Sequence, residues 1–241
     1  MNEIIESLFT RKSVRSYTDQ EISSQCKEEI LRAAMEAPTA GNQQLYTVLD
    51  ITSQELKERL SVTCDNQPFI AKGKMVLIFC ADFQKWYQAF TIAGCNPRKP
   101  GPGDFLLAVE DAAIAAQNAV TAAQSLGIGS CYIGDIMENY EIHRELLHLP
   151  EFVFPALMLV FGYPTSQQQE REKPRRAPLD FIVHENTYPR FSPEEIRQNI
   201  ADLNGENFDS WMKRFCKRKY QADFSLEMSR SVAAALKNFQ E

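Results

Sequence analysis

The sequence is short of the residues that build metal centres. Its 241 residues hold three histidines, His143, His148 and His184, and its six cysteines (Cys26, Cys64, Cys80, Cys95, Cys131 and Cys216) include no CxxC pair. Zinc and iron–sulfur sites need clustered ligands, so no metal is expected and the cysteines read as free buried thiols. No GxGxxG follows a strand and there is no Walker A loop, so a bound nucleotide must be held some other way. Basic excess is lacking as well: 26 Lys and Arg against 32 Asp and Glu leave a net charge of −6. That balance excludes a general nucleic-acid binder and still permits a local pocket for a small anion. Long uncharged apolar runs are missing. The most apolar stretch, 106–126, is interrupted by Glu110, Asp111, Gln117 and Asn118, which argues against a membrane span. The first residues, MNEIIESLFTRKSVRSY, put acids before bases and have no apolar core ending in a small-residue cleavage site. No signal peptide is read there, and a cytoplasmic location is expected.

What is present is an ordinary globular composition, 44% hydrophobic and 24% charged, in a chain long enough for a sizeable core in one large domain. Helical spacing runs from Asn2 to Phe9, from Ser23 to a stop before Pro38, and from Ser53 to Leu60. Strand composition marks 45–51, 74–80 and 128–133. The most apolar strand is FVFPALMLVF at 152–161, where Pro155 points to an edge position or a bulge. A helix is also expected at 138–147. Residues 94–103 (GCNPRKPGPG) read as a mobile surface loop. The strongest helix, 104–126, is closed by Gly127 and carries alanines at three- and four-residue spacing. Such a stripe serves either a central core helix or a helix packed across a dimer axis. After the polar stretch 165–178 come helical patterns at 193–203, 208–220 and 226–239. Helices around a few non-consecutive strands favour a single α+β domain.

Four groups of residues carry candidate chemistry. Arg11, Lys12, Ser13 and Arg15 set three cations and a hydroxyl within five residues, suited to a phosphate or the carbonyl edge of a polar ring, or simply an exposed basic turn. A second basic group, Lys173-Pro174-Arg175-Arg176, is stiffened by its proline. Thr39, Asn42 and Gln44, with Gln67, offer the amide and hydroxyl groups that match uracil-like donor–acceptor edges. Gly127, Gly129 and Gly134 around Cys131-Tyr132-Ile133 permit close backbone approach to a flat ligand, or merely turns. His143 and His148 near a helix end read as surface or capping residues, and His184 as a structural hydrogen-bonding residue.

The order of these elements, RxSxR, PTAGNQQ, GIGSCYIGD, then FGYP, KPR and VHENTY, resembles the FMN-dependent nitroreductase and flavin reductase family, and most of all its NADPH-linked oxygen-insensitive branch. The likeness covers roughly residues 3 to 190. It implies a nitroreductase-like fold: a mixed, mostly antiparallel sheet wrapped by helices, in an intertwined homodimer with FMN sites at the interface. Residues 165–241 would then be a C-terminal extension reaching over the partner, and helix 104–126 a buried dimer helix. Arg11 and Ser13, beside Lys12, would face the FMN phosphate and Arg15 the pyrimidine edge; Lys173 and Arg175 would complete the phosphate clamp. Thr39, Asn42, Gln44 and Gln67 would address the ring or ribityl chain, some from the partner subunit. Tyr132, Ile133, Gly134 and Asp135 would lie along the isoalloxazine. Leu45-Tyr46 stand where the broader family often has Pro-Trp. The implied activity passes two electrons from NADPH or NADH through FMN to a small-molecule acceptor (a nitroaromatic, a quinone or free flavin) in ping-pong order. The rival readings are an FMN-dependent dehydrogenase or biosynthetic oxidase, or a flavin-binding redox sensor without turnover. No nicotinamide-phosphate anchor is identified: NGENF at 204–208 has no cation, and Lys213, Arg214, Lys217, Arg218 and Lys219 follow it.

Overall fold

The computed structural model describes residues 2–201, 203 and 207–240. Four strands, β1 (Tyr46–Asp50), β2 (Met75–Asp82), β3 (Gly129–Ile133) and β4 (Val153–Gly162), form one sheet in the order β1-β2-β4-β3, every neighbouring pair antiparallel. Among the described residues the one parallel contact is an isolated bridge between Ser13 and Ser130. β4 therefore lies inside the sheet, and Pro155 is not on an edge. It sits at a bulge instead: Phe79 pairs with Leu157 and Cys80 with Pro155, so Ala156 has no opposite number, and a proline without an N–H is tolerated where the ladder skips.

Every residue of β2 is buried, which the alternation of side chains across the pleat turns into two cores. Met75, Leu77, Phe79 and Ala81 face one, and Val76, Ile78 and Cys80 the other. The first core is covered by helices α2 (Ser24–Met35) and α5 (Pro102–Ser125). Along α5, Phe105, Ala108, Ala112, Ala115, Ala116, Ala119 and Ala123 are buried, at the three- and four-residue spacing that lets α2 and the sheet approach closely. The alanine stripe thus serves this chain's own core. What α5 leaves exposed is a different set, Leu106, Leu107 and Ile114. The second core is covered by α3 (Gln54–Thr63), through Leu60, and by the segment around Leu149.

Local chemistry sets the helix starts. Asn2, Ser23 and Ser53 each accept from the backbone N–H three residues on, which caps α1 (Glu3–Thr10), α2 and α3. A helix not expected from the sequence, α4 (Gln84–Ile92), follows β2 at once; its aromatic residues blurred the period. The 94–103 segment is anchored at its end, because Arg98 grips Asp104 with two nitrogens at 2.5 and 2.9 Å. Of the cysteines, Cys64, Cys80 and Cys131 are buried, Cys26 and Cys216 half-buried, and Cys95 is exposed.

Further on come α6 (Tyr140–Leu146), α7 (Ser166–Glu170), α8 (Leu179–Ile182), α9 (Pro193–Ala201), α10 (Phe208–Phe215), which continues in a wider turn over Cys216–Tyr220, and α11 (Asp223–Leu236). The chain divides into two compact units. The first comprises 1–171 with 227–241 and the second 172–226. The expected C-terminal extension 165–241 is therefore split, since Ala235 and Phe239 are buried in the first core. No described residue of the second unit is fully buried. Its order comes from local pairs: Phe181 on Phe191, Trp211 on Phe215 at 4.7 Å, and Arg197 over Phe208 and onto Asp209. Among the described residues no helix is long and apolar enough to cross a membrane.

Candidate functional site

After α1 ends, residues 11–18 run extended along the outer edge of β3 and the end of β4. Val14 N–H donates to Ser130 O at 2.9 Å and Thr18 N–H to Tyr163 O at 2.8 Å. Two glycines make room for this strap. A Cβ on Gly129 would come within 2.6 Å of Val14, and one on Gly162 within 2.6 Å of the Tyr17 ring. Tyr17 locks the arrangement by donating to Val14 O at 2.8 Å. Of the glycines read as backbone openings for a flat ligand, Gly129 thus admits Val14, and Gly127 closes α5 with φ of 72°. Gly134 is uncrowded without a positive φ, with the nearest atom to a Cβ there at 3.8 Å.

The strap gathers the first basic group. Lys12 donates its ammonium to Gln169 O at 2.6 Å and to Arg171 O, so it braces the loop. Arg171 reaches back to Ser13 O at 2.5 Å, and Gln168 Oε1 accepts from Arg15 N–H. Arg15 is exposed and pairs with no acid among the described residues. Arg11 is different. Its guanidinium carbon lies 5.7 Å from the centre of the Tyr132 ring, while Nε and Nη2 are buried without an acceptor. A desolvated cation with idle donors is costly, and an anion seated there removes the cost. Burial lifts the Tyr132 hydroxyl to about 12, so it stays protonated; it faces Gln117 Oε1 at 3.3 Å. Arg171 and Gln168 were missed by sequence reading; Arg171 was one more cation in a charged stretch.

β3 runs on through Ile133, which is buried, into a turn at Gly134–Met137. There Asp135 accepts from Gln67 Nε2 at 2.7 Å, joining two expected site residues that are 68 positions apart. Glu138 lies beside them with 4% of its surface exposed, its Oε1 without a partner. Burial, and then the adjacent Asp135 carboxyl, push its pKa up to about 8. His143 is not a surface residue: it is fully buried, with Nδ1 at 2.9 Å from Ile136 O and Nε2 at 2.8 Å from Thr63 Oγ1. Burial lowers its pKa, so the ring is neutral and pins the turn to α3. His148 is exposed at the end of α6, and His184 contacts Phe181 O and the Phe191 ring.

Thr39, Asn42 and Gln44 occupy a tight loop before β1 in which Gly41, Asn42 and Gln44 all have positive φ. Asp111 of α5 makes that loop possible. It is 3% exposed and accepts from Ala40 N–H and Leu45 N–H, both at 3.0 Å; Trp86 donates to Gln43 O at 2.6 Å. Asp111 had read only as an interruption of an apolar run, although one acid on an alanine face was itself a signal. Register sets this loop at the far corner of the sheet from Ser13. Tyr46 pairs with Ala81 at one end of β2, whereas Ser130 pairs with Phe161, opposite Met75 at the other. Strand rise and spacing separate the two corners by roughly 25 Å. One chain therefore does not bring Thr39, Asn42 and Gln44 to the Arg11 group. Lys173 and Arg175 belong to the second unit. Of the segment 204–208, Asn204, Gly205 and Glu206 lie outside the described residues.

Residues 8–163 match the model of the nitroreductase family. An FMN reductase [NAD(P)H] of Bacillus subtilis is 32% identical over 97% of this chain and 91% of its own length. An oxygen-insensitive NADPH nitroreductase of Salmonella typhimurium is 36% identical over 78% of this chain and 75% of its own. The solved structure of B. megaterium NfrA2, 28% identical, superposes with a TM-score of 0.84 over 99% of this chain and 98% of the other. The extent of the family match and the identity to these relatives lead to one conclusion: the chain belongs to the nitroreductase family.

Proposed function

We propose that this protein is an FMN-dependent NAD(P)H oxidoreductase that reduces a nitroaromatic, a quinone or free flavin, and that it works as a homodimer. The observation that carries the reading is Arg11, whose two buried nitrogens lack an acceptor in a chain that folds like the NfrA1 nitroreductase of B. subtilis and an NADPH:FMN oxidoreductase of Vibrio harveyi. Those donors fit a phosphate monoester. When bound, FMN supplies two-electron transfer between the nicotinamide and the acceptor; the protein supplies position and charge.

Arg11, with Ser13, holds the phosphate. Lys12 stays on the carbonyls of Gln169 and Arg171 and adds positive charge at short range. Lys173 and Arg175 follow Arg171 by two and four residues and are assigned to the same phosphate on that proximity in the chain. Arg15, with no acid of its own, balances negative charge at the pyrimidine edge. Tyr132, Ile133, Gly134 and Asp135 back the ring, and Gln67 contacts its polar edge. Thr39, Asn42 and Gln44 reach the flavin from the partner, since their corner of the sheet lies too far from Arg11 in the same subunit. Dimerisation also covers exposed apolar side chains: Ile4 and Leu8 of α1 and Leu106, Leu107 and Ile114 of α5. The unit 172–226, in which no described residue is buried, is the arm that crosses to the partner. Lys213, Arg214, Lys217, Arg218 and Lys219, clustered on that unit, favour NADPH over NADH. With no membrane span among the described residues, we place the protein in the cytoplasm.

The test is a visible spectrum of the purified protein, then anaerobic addition of NADPH and, separately, NADH. A bound flavin that bleaches, faster with NADPH, is expected. A flavin that stays oxidised would replace the reductase by a sensor or a dehydrogenase, and a protein that takes up no added FMN would end the reading. Sedimentation equilibrium is expected to give twice the 27.5 kDa chain mass.

A further inference from the structure

The amide of Gln67 has only one possible orientation. Its Nε2 sits 2.7 Å from Asp135 Oδ2 and 3.0 Å from Cys64 O, and both of those atoms accept but do not donate. The NH₂ group is therefore turned inward, and the carbonyl oxygen is what remains for a ligand. Asp135 is held in turn by Glu138, whose carboxyl lies against it.

Glu138 has an unusual setting. It is 4% exposed, Oε1 has no partner, and acids face it from three directions: Asp135 on its own turn, Asp65 after α3, and Glu227 from α11. Arg230, which pairs with Glu227, is spent on that acid and on Glu141. His143, packed under the same turn, has both ring nitrogens engaged, and Cys64 is buried and protonated. Two carboxyls in contact with no cation between them are stable only when one carries a proton that it donates to the other.

We propose that Glu138 is that neutral acid: by donating to Asp135 it positions Gln67, so that the flavin site presents a hydrogen-bond acceptor, and losing the proton releases Gln67. Glu138 is a positioning residue, since it reaches the flavin only through Asp135 and Gln67. The inference rests on the proposal that Gln67 contacts FMN, and it makes flavin affinity a function of pH. Below the Glu138 transition the trio is closed. Above it two like charges meet and the turn must open.

The experiment is FMN binding to the full-length apoprotein, followed by quenching of flavin fluorescence from about pH 6 to about pH 9.5. The wild type is expected to lose about tenfold in affinity through a single step centred near pH 8. Glu138→Gln, whose amide donates to Asp135 at every pH, is expected to bind without a step. Asp135→Asn removes the neighbouring charge and is expected to move the step to lower pH, which a merely structural role for Glu138 would not do. A flat profile in the wild type, or an unshifted step in Glu138→Gln, overturns the proposal while leaving FMN binding intact. Failure of the wild type to bind FMN at pH 6 overturns the flavin reading and this inference with it.

Discussion

Asp111 and Glu138 are buried to nearly the same degree, 3% and 4% exposed, yet their surroundings differ in kind. Asp111 spends one oxygen on Ala40 N–H and the other on Leu45 N–H. Glu138 meets other carboxyls and leaves one oxygen idle. Arg11 resembles Glu138 in this respect, with two buried donors unanswered. Where every buried polar atom has a partner inside the chain, the group is scaffold. Where it has none, it waits for a ligand or a proton.

The comparison breaks first at Asp111. Removing it in Asp111→Ala strands two buried N–H groups and leaves a small cavity, an expected loss of about 3–5 kcal/mol in stability. For a chain of this size that lowers the midpoint of thermal unfolding by roughly 10 °C. Asp111→Asn keeps the size and one acceptor and should lose less. A calorimetric midpoint for Asp111→Ala equal to that of the wild type would mean the loop at 39–45 is held by something else.

Arg11 sharpens the contrast because its expected effects have opposite signs. Arg11→Ala removes a half-buried cation with two idle buried donors, so the apoprotein should keep or gain stability. FMN affinity should fall by about 1.5–3 kcal/mol, roughly tenfold to a hundredfold, read by titration calorimetry. Loss of stability together with unchanged affinity would make Arg11 a scaffold residue after all. Arg15→Ala is expected to act more weakly, lowering flavin affinity and the rate of flavin reduction together by a few fold, because its exposed guanidinium is screened by water. Retention of both in stopped-flow reduction would remove it from the site.

Much of this was legible in the residues and some was not. Strand composition and helix caps marked all four strands and most helices, since those signals are local: Ser23 and Ser53 stand where capping chemistry needs them. Periodicity reported that α5 has a small-residue face but not what covers it, because core and interface demand the same alanines. The strap was legible as a basic RxSxR; its seating on β3 was not, since it depends on Gly129 and Gly162, more than a hundred residues away. Separations of 68 and 80 residues likewise hid the pairing of Gln67 with Asp135 and the contact of His143 with Thr63. Pro155 was ambiguous between edge and bulge because both remove the same ladder bond, and only strand order decides.

The smallest effect tests Glu138 without any ligand. Its carboxyl is raised from 4.5 to about 8, chiefly by burial, so the folded state holds a proton that the unfolded chain releases. A raised value means the stabilisation is whole below pH 4.5 and is lost progressively up to about pH 8, with no further change above. Glu138→Gln carries no such proton. Relative to the wild type it should therefore gain stability as pH rises from about 5 to about 8. Glu227, which faces Glu138 across the same turn, behaves in the opposite sense. Its hydrogen bonds from Arg230 lower it to about 2, so its contribution is present above pH 4.5 and is lost below, outside the Glu138 window. Urea unfolding of both proteins at several pH values separates the two acids. A stability difference that stays constant with pH would show that Glu138 is ionised in the fold, and the contrast with Asp111 would then be one of hydrogen-bond count alone.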